Sequence, residues 1–234
     1  MSTDADRTAD AGLPEHVAAA LAVAEIPPSK LGQACRSRLS DSERALYYWI
    51  LRRFAEGGRP PREELGKEAE QLGLELEPAL ATLRREDLVH LGNDCEITVA
   101  YPFSGVPTAH RVRFPNGQEA FAMCAIDALG VAPMLDQPIE ITSRDPLGNE
   151  PFHADLSPDG SASWQPETAA VVAGVNDRHA DSCSGCCPVL NFLASTDNAE
   201  RWLSEHPQVH GEVITIEDAI AAGRAIFADV LTES

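Results

Sequence analysis

The sequence has few basic residues and no long hydrophobic run, and each shortage excludes a class of protein. Its 18 Lys and Arg residues stand against 37 Asp and Glu residues, which gives a net charge of −19. Such a chain repels nucleic acid and anionic membranes, so we interpret the excess as a well-solvated acidic surface. The longest apolar stretches are too short to span a bilayer. Neither internal repeats nor low-complexity tracts occur, and the apolar content of 44% is ordinary for a globular protein.

The N-terminal residues also lack the features of a secretion signal. The segment Met1–Asp6 is acidic and has neither a basic region nor an apolar region. We therefore expect a cytoplasmic protein whose six cysteines are reduced. Reduced cysteines favour metal binding or catalysis over a disulfide framework. Three of the six, Cys183, Cys186 and Cys187, are clustered near the middle of the second half.

The first half of the chain is predicted to be mainly helical. A polar extension at residues 1–35 includes a short helix over 14–24. Apolar residues at helical spacing, with capping residues and glycine stops, then predict helices that begin near Asp41, after Pro60-Pro61 and at Glu77. The pattern at residues 88–99 predicts a β-hairpin.

Three helices followed by a hairpin are typical of a winged-helix module, which we place at residues 36–103. Its third helix carries only two basic residues among acidic ones, Arg84 and Arg85. Phosphate contacts supply most of the affinity of DNA-binding modules, and this helix offers few. We therefore expect the module to pack on the second half as a scaffold, and we disfavour a DNA-binding regulator.

Residues 104–234 are predicted to form a second domain, in which strands alternate with helices. Strands are expected near 110–114, 139–142, 152–156, 171–175 and 213–216, and helices over 119–129, 199–205 and 217–231. We expect Gly130 and Pro133 to end the first of these helices. The fold class is therefore α+β: a winged-helix-like N-terminal module packed on a mixed, mainly antiparallel sheet with helices.

Cys124 and Asp127 form the first candidate site. At a spacing of three residues on a helix, the two side chains share one face. A carboxylate should raise the pKa of a neighbouring thiol, so the pair makes chemical sense if the carboxyl group is a proton donor or shuttle. Free cysteine is among the most buried residue types, and the spacing alone favours a purely structural Cys124.

The second candidate site is the cluster Cys183-Ser184-Gly185-Cys186-Cys187, whose soft thiolates suit Cu(I), Zn(II) or Hg(II). A structural zinc site needs a second pair of ligands, and His179, His153 and His206 form no recognisable half-site. A thioredoxin-like Cys-x-x-Cys should open a helix, whereas the apolar residues after Pro188 predict a strand. Both alternatives are weak.

Two segments resemble the signatures of the organomercurial (alkylmercury) lyases. The run Phe121–Gly130 is similar to the first, a Cys-Ala-x-Asp helix, and Cys187–Ser195 is similar to the second. The flanking stretches at 107–111 and 199–202 and the N-terminal half are also similar to the family, so the resemblance covers roughly residues 40 to 231. Counting back from Asn191-Phe192 favours Cys187 over Cys186 as the second-signature cysteine.

The resemblance implies a lyase that needs no cofactor. Cys124 and Cys187 are the thiols that take mercury, and Asp127 is the acid that protonates the departing carbon. The substrate is a small organomercurial, and Hg(II) stays bound as product until a cellular thiol, a soluble dithiol or mercuric reductase accepts it. Cys183 and Cys186 fall outside this pattern and are candidate additional metal ligands, whereas Cys35 and Cys95 are interpreted as structural. The alternative is a metal-binding or metal-sensing protein that uses Cys183, Cys186 and Cys187 to hold mercury, copper or zinc without cleavage.

Overall fold

The structure, a computed structural model, describes residues 38–176, 187–228 and 230–231, together with the isolated residues 15, 18 and 19. The helix predicted over 14–24 lies outside the described residues except at those three positions. Every helix in the described ranges is too short or too polar to span a bilayer.

Three helices form the N-terminal part of the described chain, as predicted. They are α1 (Asp41–Gly57), α2 (Arg62–Gln71) and α3 (Leu76–Arg85). Helix α1 begins at a capping box: the Ser40 hydroxyl accepts a hydrogen bond from the Glu43 backbone N–H, and the Glu43 carboxylate accepts one from the Ser40 backbone. The helix ends before Gly58, whose φ of 88° is one that side chains rarely allow.

An antiparallel sheet of eight strands follows these helices. The strands are β1 (Val89–Leu91), β2 (Ile97–Ala100), β3 (Phe103–Ser104), β4 (His110–Arg113), β5 (Glu119–Ala122), β6 (Ile139–Arg144), β7 (Pro151–Leu156) and β8 (Ala162–Gln165), in the spatial order β1-β2-β3-β5-β4-β6-β7-β8. We expected a mixed, mainly antiparallel sheet, and every pair in this sheet is antiparallel. The helix that joins β5 to β6 creates no parallel pair, because these strands lie on either side of β4.

The segment after Gln118 differs from the helix predicted over 119–129. Residues Glu119–Ala122 form β5, and helix α4 (Ala125–Leu135) starts only afterwards. The apolar spacing that suggested a helix coincides here with the alternating burial of a strand, since Ala120 and Ala122 are buried. Pairing with both β3 and β4 makes this segment a central strand, and such pairing overrides local helix preference.

Helix α4 also passes through Gly130 and Pro133, which we expected to end it. The glycine is required by packing instead, because helix α6 (Ile216–Phe227) lies directly against α4. A Cβ atom on Gly130 would lie 2.1 Å from a ring carbon of Phe227, and one on Gly223 would lie 2.9 Å from the backbone nitrogen of Gly130. The close approach of the two helices fixes the position of α4.

We expect Gly223→Ala to lower the free energy of unfolding by about 1–3 kcal/mol, because the added Cβ meets backbone atoms of α4. Gly66→Ala in α2 is the matched control. A Cβ on Gly66 meets only the Leu76 side chain, at 4.0 Å, so this change should be neutral or stabilising by up to about 1 kcal/mol. Urea unfolding measures both variants, and equal stability of the two would contradict the packing argument.

A second sheet of three strands covers the C-terminal part. Its strands are β9 (Ala170–Asn176), β10 (Phe192–Leu193) and β11 (Val209–Thr215), in the antiparallel order β10-β9-β11, and helix α5 (Thr196–Glu205) lies between the last two in the chain. The strand expected directly after Pro188 is shorter than predicted. Residues 187–189 form a turn, and pairing with β9 begins only at Phe192.

A buried carboxylate joins the two sheets. One oxygen of Asp145, in the β6–β7 turn, accepts hydrogen bonds from the backbone N–H groups of Leu147 and Gly148. The other accepts from the Ala194 N–H at 2.9 Å and from the Asn198 side chain at 2.7 Å. Asp145 therefore ties this turn to the segment between β10 and α5.

Asp145→Ala is expected to reduce the free energy of unfolding by about 1–3 kcal/mol or more, because it leaves several donors without their acceptor. Asp155→Ala, an exposed aspartate on neighbouring β7, should change it by no more than about 0.5 kcal/mol. Chemical unfolding at neutral pH compares the two variants. If both had the same small effect, Asp145 would not be the tie that its contacts indicate.

The N-terminal helices pack on the large sheet through aromatic and aliphatic side chains. Phe54 of α1 stacks on Phe103 with ring centroids 5.3 Å apart, and Phe103 in turn contacts Phe114 edge-on. One connected core of buried residues extends from Leu46 in α1 to Phe227 in α6. The helical part is therefore attached to the sheet that carries α4.

Candidate active site

Cys124 lies at the junction of β5 and α4, where it is the N-cap of the helix. Its backbone is extended, with φ −152° and ψ −178°, and its sulfur accepts a hydrogen bond from the Asp127 backbone N–H at 3.4 Å. This is the position that Ser, Thr or Asp usually takes at a helix start. The predicted proximity of Cys124 and Asp127 is confirmed, but the cap produces it rather than a shared helix face.

Cys187 reaches the same place from a turn 60 residues after Asp127. The turn is anchored to the start of α4, since the Ala125 N–H donates to the Leu190 carbonyl at 2.9 Å. The Sγ of Cys187 lies 3.8 Å from Oδ2 of Asp127. Ligand atoms of Cys124, Asp127 and Cys187 all lie within 4.8 Å of one another. The two thiols and the carboxyl group therefore surround one small volume.

This cluster is withdrawn from water. Cys124 is 1% exposed, and Asp127 and Cys187 are each 5% exposed. Burial raises the pKa of Asp127 to about 7, although hydrogen bonds with both thiols lower it. Burial also raises the pKa of Cys124 to about 12, and the charge of Asp127 adds to this rise. The Cys124 thiol therefore keeps its proton near neutral pH, whereas the Asp127 carboxyl group is poised to gain or lose one.

The N-terminus of α4 offsets part of the free-energy cost of forming a thiolate in this buried site. The Asp127 backbone N–H in the first turn of α4 donates to the Cys124 sulfur, and the partial positive charge at a helix N-terminus stabilises nearby anions. Thiolates are favoured at such positions. Once a soft cation enters, the thiols can lose their protons at a place where both the metal and the helix stabilise the sulfur anions.

A polar network that runs from the surface to buried His110 supports the turn that carries Cys187. The Asn191 side chain donates to the carbonyls of Pro188 and Val189, at 2.9 and 3.1 Å. Asn191 is itself hydrogen bonded to His110, whose Nδ1 lies 3.0 Å from the Ser143 hydroxyl. Burial lowers the pKa of His110 to about 4, so its ring is neutral at physiological pH. A neutral ring that bonds on both sides is a rigid support and no proton donor for the cluster.

Tyr101 is the residue at the site that the sequence did not single out. Its hydroxyl lies 4.0 Å from the sulfur of Cys187, and its side chain is buried. A single tyrosine after a short strand carries no motif, and its nearness to Cys187 depends on how the two sheets meet. No local signal in the sequence was available to find it.

Other predicted site residues lie elsewhere or are not described. Cys183, Cys186, His179 and Cys35 lie outside the described residues. His153 is half-exposed on β7 beside Asp155, and His206 bonds through Nδ1 to the Trp202 carbonyl. Within the described ranges, Cys124, Asp127 and Cys187 form the one group of three possible metal ligands. Cys95 is exposed in the β1–β2 turn.

Comparison with known proteins identifies the family. The sequence profile described as Alkylmercury lyase matches residues 103–228, which include both cysteines and Asp127. An alkylmercury lyase of Staphylococcus epidermidis is 30% identical over 183 residues, which make up 78% of this chain and 82% of that protein. This chain belongs to the alkylmercury lyase family. The predicted family and enzyme class are confirmed.

Further relatives agree with this assignment. An alkylmercury lyase of Pseudomonas putida is 27% identical over 196 residues, with 81% of this chain and 86% of that protein covered. The crystal structure of the mercury-bound form of MerB2 has the same fold, with a TM-score of 0.70 and 22% sequence identity. It matches 87% of this chain and 98% of that one. The α+β architecture with antiparallel sheets is therefore shared with a solved structure.

Proposed function

We propose that this chain cleaves carbon–mercury bonds, with Cys124 and Cys187 as the thiols that take the metal and Asp127 as the acid that protonates the carbon. The observation that carries this proposal is the meeting of two thiols and one carboxyl group within 4.8 Å in a buried site. Soft thiolates suit Hg(II), and a buried carboxyl group with a pKa of about 7 suits proton transfer.

The reaction begins with binding of an organomercury cation, R–Hg⁺, to one of the two thiols, which releases a proton. The second thiol then adds to the mercury and gives its proton to Asp127. Two sulfur ligands donate electron density to the metal and weaken its bond to carbon. A carboxylate oxygen of Asp127 lies within 4.8 Å of both sulfurs, so it can receive this proton without solvent.

Cleavage follows when Asp127 delivers the proton to the carbon atom. The electron pair of the Hg–C bond becomes the new C–H bond, the hydrocarbon leaves, and Hg(II) stays on Cys124 and Cys187. The overall balance is two thiol protons lost, one to the hydrocarbon and one to the medium or the departing ligand. Mercury is neither oxidised nor reduced, so the reaction needs no redox cofactor.

Release of the product requires other thiols. Hg(II) held by two buried cysteines leaves by ligand exchange, in which an external dithiol or cellular thiol replaces the protein sulfurs one at a time. Mercuric reductase is a suitable final acceptor. Cys183 and Cys186 precede Cys187 closely in the chain, and we propose them as additional ligands during this transfer.

The N-terminal part is proposed to be a winged-helix-like scaffold at residues 36–103, attached to a catalytic domain at 104–234. The order of three helices and a hairpin supports this assignment. The strongly acidic chain supports a structural role over nucleic-acid binding. We also propose a cytoplasmic location, because cytosolic thiols are kept reduced and can accept the Hg(II) product.

The decisive experiment is incubation of the purified protein with phenylmercuric acetate and an excess of a small thiol. We expect catalytic release of benzene, measured by gas chromatography, in amounts well above one equivalent per protein. A protein that binds one equivalent of mercury tightly but releases no benzene would instead be a metal-binding or metal-sensing protein. The buried acid argues against that alternative, because a metal trap does not need a proton donor.

A further inference from the structure

We infer that Tyr101 is a positioning residue that holds the sulfur of Cys187 against Asp127, and that the N-terminal helices thereby take part in the active site. The inference rests on the proposed function and adds a residue to it. Tyr101 lies before the region that the family profile matches, which begins at residue 103.

Cys187 needs such support because of where it lies. Cys124 is fixed as the cap of a helix, whereas Cys187 lies on a turn. A cysteine side chain has three staggered positions about χ1, and each directs the sulfur differently. The sulfur of Cys187 contacts Oδ2 of Asp127 at 3.8 Å and the hydroxyl of Tyr101 at 4.0 Å. Together they favour the position in which the two thiols converge.

The hydroxyl group suits this role in every form of the sulfur. A tyrosine hydroxyl both donates and accepts, whereas a thiol has one proton to give. When Cys187 donates to Asp127, the Tyr101 hydroxyl can turn and donate to the sulfur. Hydrogen bonds in empty active sites are often long and shorten when substrate binds, so a separation of 4.0 Å is compatible with a functional contact.

Tyr101 is itself held in place from two directions. The Tyr47 hydroxyl, in α1, donates to the Tyr101 carbonyl at 2.6 Å in a buried position. The next residue, Pro102, accepts at its carbonyl from the Met123 N–H at 3.0 Å, directly before Cys124. The His90 ring packs edge-on against the Tyr101 ring. A continuous series of contacts therefore runs from α1 through Tyr101 to both cysteine segments.

The test compares Tyr101→Phe, which removes only the hydroxyl, with Tyr48→Phe as a matched control. Tyr48 is a buried tyrosine of α1 next to Tyr47, and it is not one of the three residues of the Cys124–Asp127–Cys187 cluster. We expect Tyr101→Phe to lower the kcat for benzene release from phenylmercury about tenfold, because misplacement of a reacting group is costly. The KM should stay within about twofold, since Cys124 still captures the substrate. Tyr48→Phe should retain wild-type kcat.

Two further measurements separate positioning from a merely structural role. Rates are expressed per site able to bind one Hg(II), and the ultraviolet absorption of the Hg(II)–thiolate bonds is recorded for each variant. A structural defect would lower the melting temperature and the number of sites but leave the rate per site unchanged. Positioning predicts a slower rate per site and an altered absorption band. Tyr47→Phe, which loosens the Tyr101 backbone, should give the same changes in weaker form.

The outcomes are distinct. If the wild-type protein releases benzene and the Tyr101→Phe variant does so at the same rate per site, this inference is wrong and the proposed function stands. A wild-type protein that releases no benzene overturns the proposed function, and the inference with it. If Tyr101→Phe fails to fold, Tyr47→Phe decides: a normal rate per site there also overturns the inference.

Discussion

Cys187→Ser should lower the rate of benzene release from phenylmercury by about 10⁴-fold or more, and Cys124→Ser should do the same. A serine hydroxyl has nearly the size of a thiol but is a hard ligand with little affinity for Hg(II). One remaining sulfur can still bind R–Hg⁺, but it cannot supply the second ligand that weakens the bond to carbon. The variants should therefore bind organomercury and fail to cleave it.

The double variant provides a sharper test of cooperation. Because the two sulfurs are expected to act as a unit, the double variant Cys124→Ser/Cys187→Ser should have about the same residual activity as each single variant. Cys95→Ser is the matched control, since Cys95 is exposed in a turn and lies outside the cluster. Benzene release and the stoichiometry of bound mercury are measured for all four proteins.

A particular result would change the assignment of residues. Full turnover by Cys187→Ser, with loss of turnover in Cys186→Ser, would place the second thiol one residue earlier. The contact of the Cys187 sulfur with Asp127 makes this unexpected. Additional ligands have a different signature: Cys183→Ser and Cys186→Ser should slow transfer of Hg(II) to external thiol without slowing the first turnover.

The proximity of Cys124 to Asp127 was predictable because it is local. Cys124 and Asp127 are three positions apart, and both a helix face and a helix cap bring residues at this spacing together. The sequence did not distinguish these two cases, since the small and apolar residues at 120–122 fit a helix as well as a strand. Pairing of β5 with both neighbours decided the outcome, and pairing depends on residues far along the chain.

The approach of Cys187 could not be worked out from local patterns. It lies 60 residues after Asp127, and its place depends on the Ala125–Leu190 hydrogen bond and on the packing of the second sheet. Resemblance to a family supplied this assignment where periodicity and spacing did not. The same limit explains why Tyr101 was missed, since no motif marks it.

Gly130 shows a different kind of ambiguity. A glycine at the end of an apolar helical run is a common stop, and a proline three residues later strengthens that interpretation. Here the missing side chain instead allows α6 to approach α4 at Gly130 and Gly223. The local sequence shows that a glycine could end a helix or allow close packing. Contact with the partner helix α6 determines that Gly130 allows close packing.

Asp127→Asn is expected to lower the rate of carbon–mercury cleavage by about 10²–10⁴-fold, the usual contribution of a general acid. Asparagine keeps the shape of the side chain but has no acidic proton to give. Both thiols remain, so the variant should bind one equivalent of Hg(II) as the wild type does. Wild-type turnover by this variant would show that the proton reaches the carbon from elsewhere.

Measurements of the free energy of unfolding show whether the loss of cleavage activity in Asp127→Asn is caused by unfolding. Burial raises the pKa of Asp127 from 3.8 to about 7, so the folded protein disfavours the ionised carboxylate. The stabilising effect of the neutral form is fully present below pH 3.8 and is lost as the pH rises to about 7. Asp127→Asn has no carboxyl group to ionise, so it does not lose stability in this way. The difference in free energy of unfolding between the variant and the wild type should therefore rise from pH 3.8 to about 7, by up to about 4 kcal/mol, and then level off.

The pH dependence of the wild-type reaction connects the same group to the chemical step. In the proposed sequence of steps Asp127 must first be ionised to accept the proton of the second thiol, so the single-turnover rate with bound phenylmercury should rise as the pH rises through about 7 and then level off. Capture of the substrate also becomes faster at high pH, because thiolates form more readily there, so single-turnover cleavage and substrate binding are measured separately between pH 5 and 9. In Asp127→Asn the binding trend should persist while the rise in cleavage near pH 7 disappears, because the titrating group is gone. A wild-type cleavage rate that instead falls as the pH rises above about 7 would exclude Asp127 as the acceptor of the thiol proton.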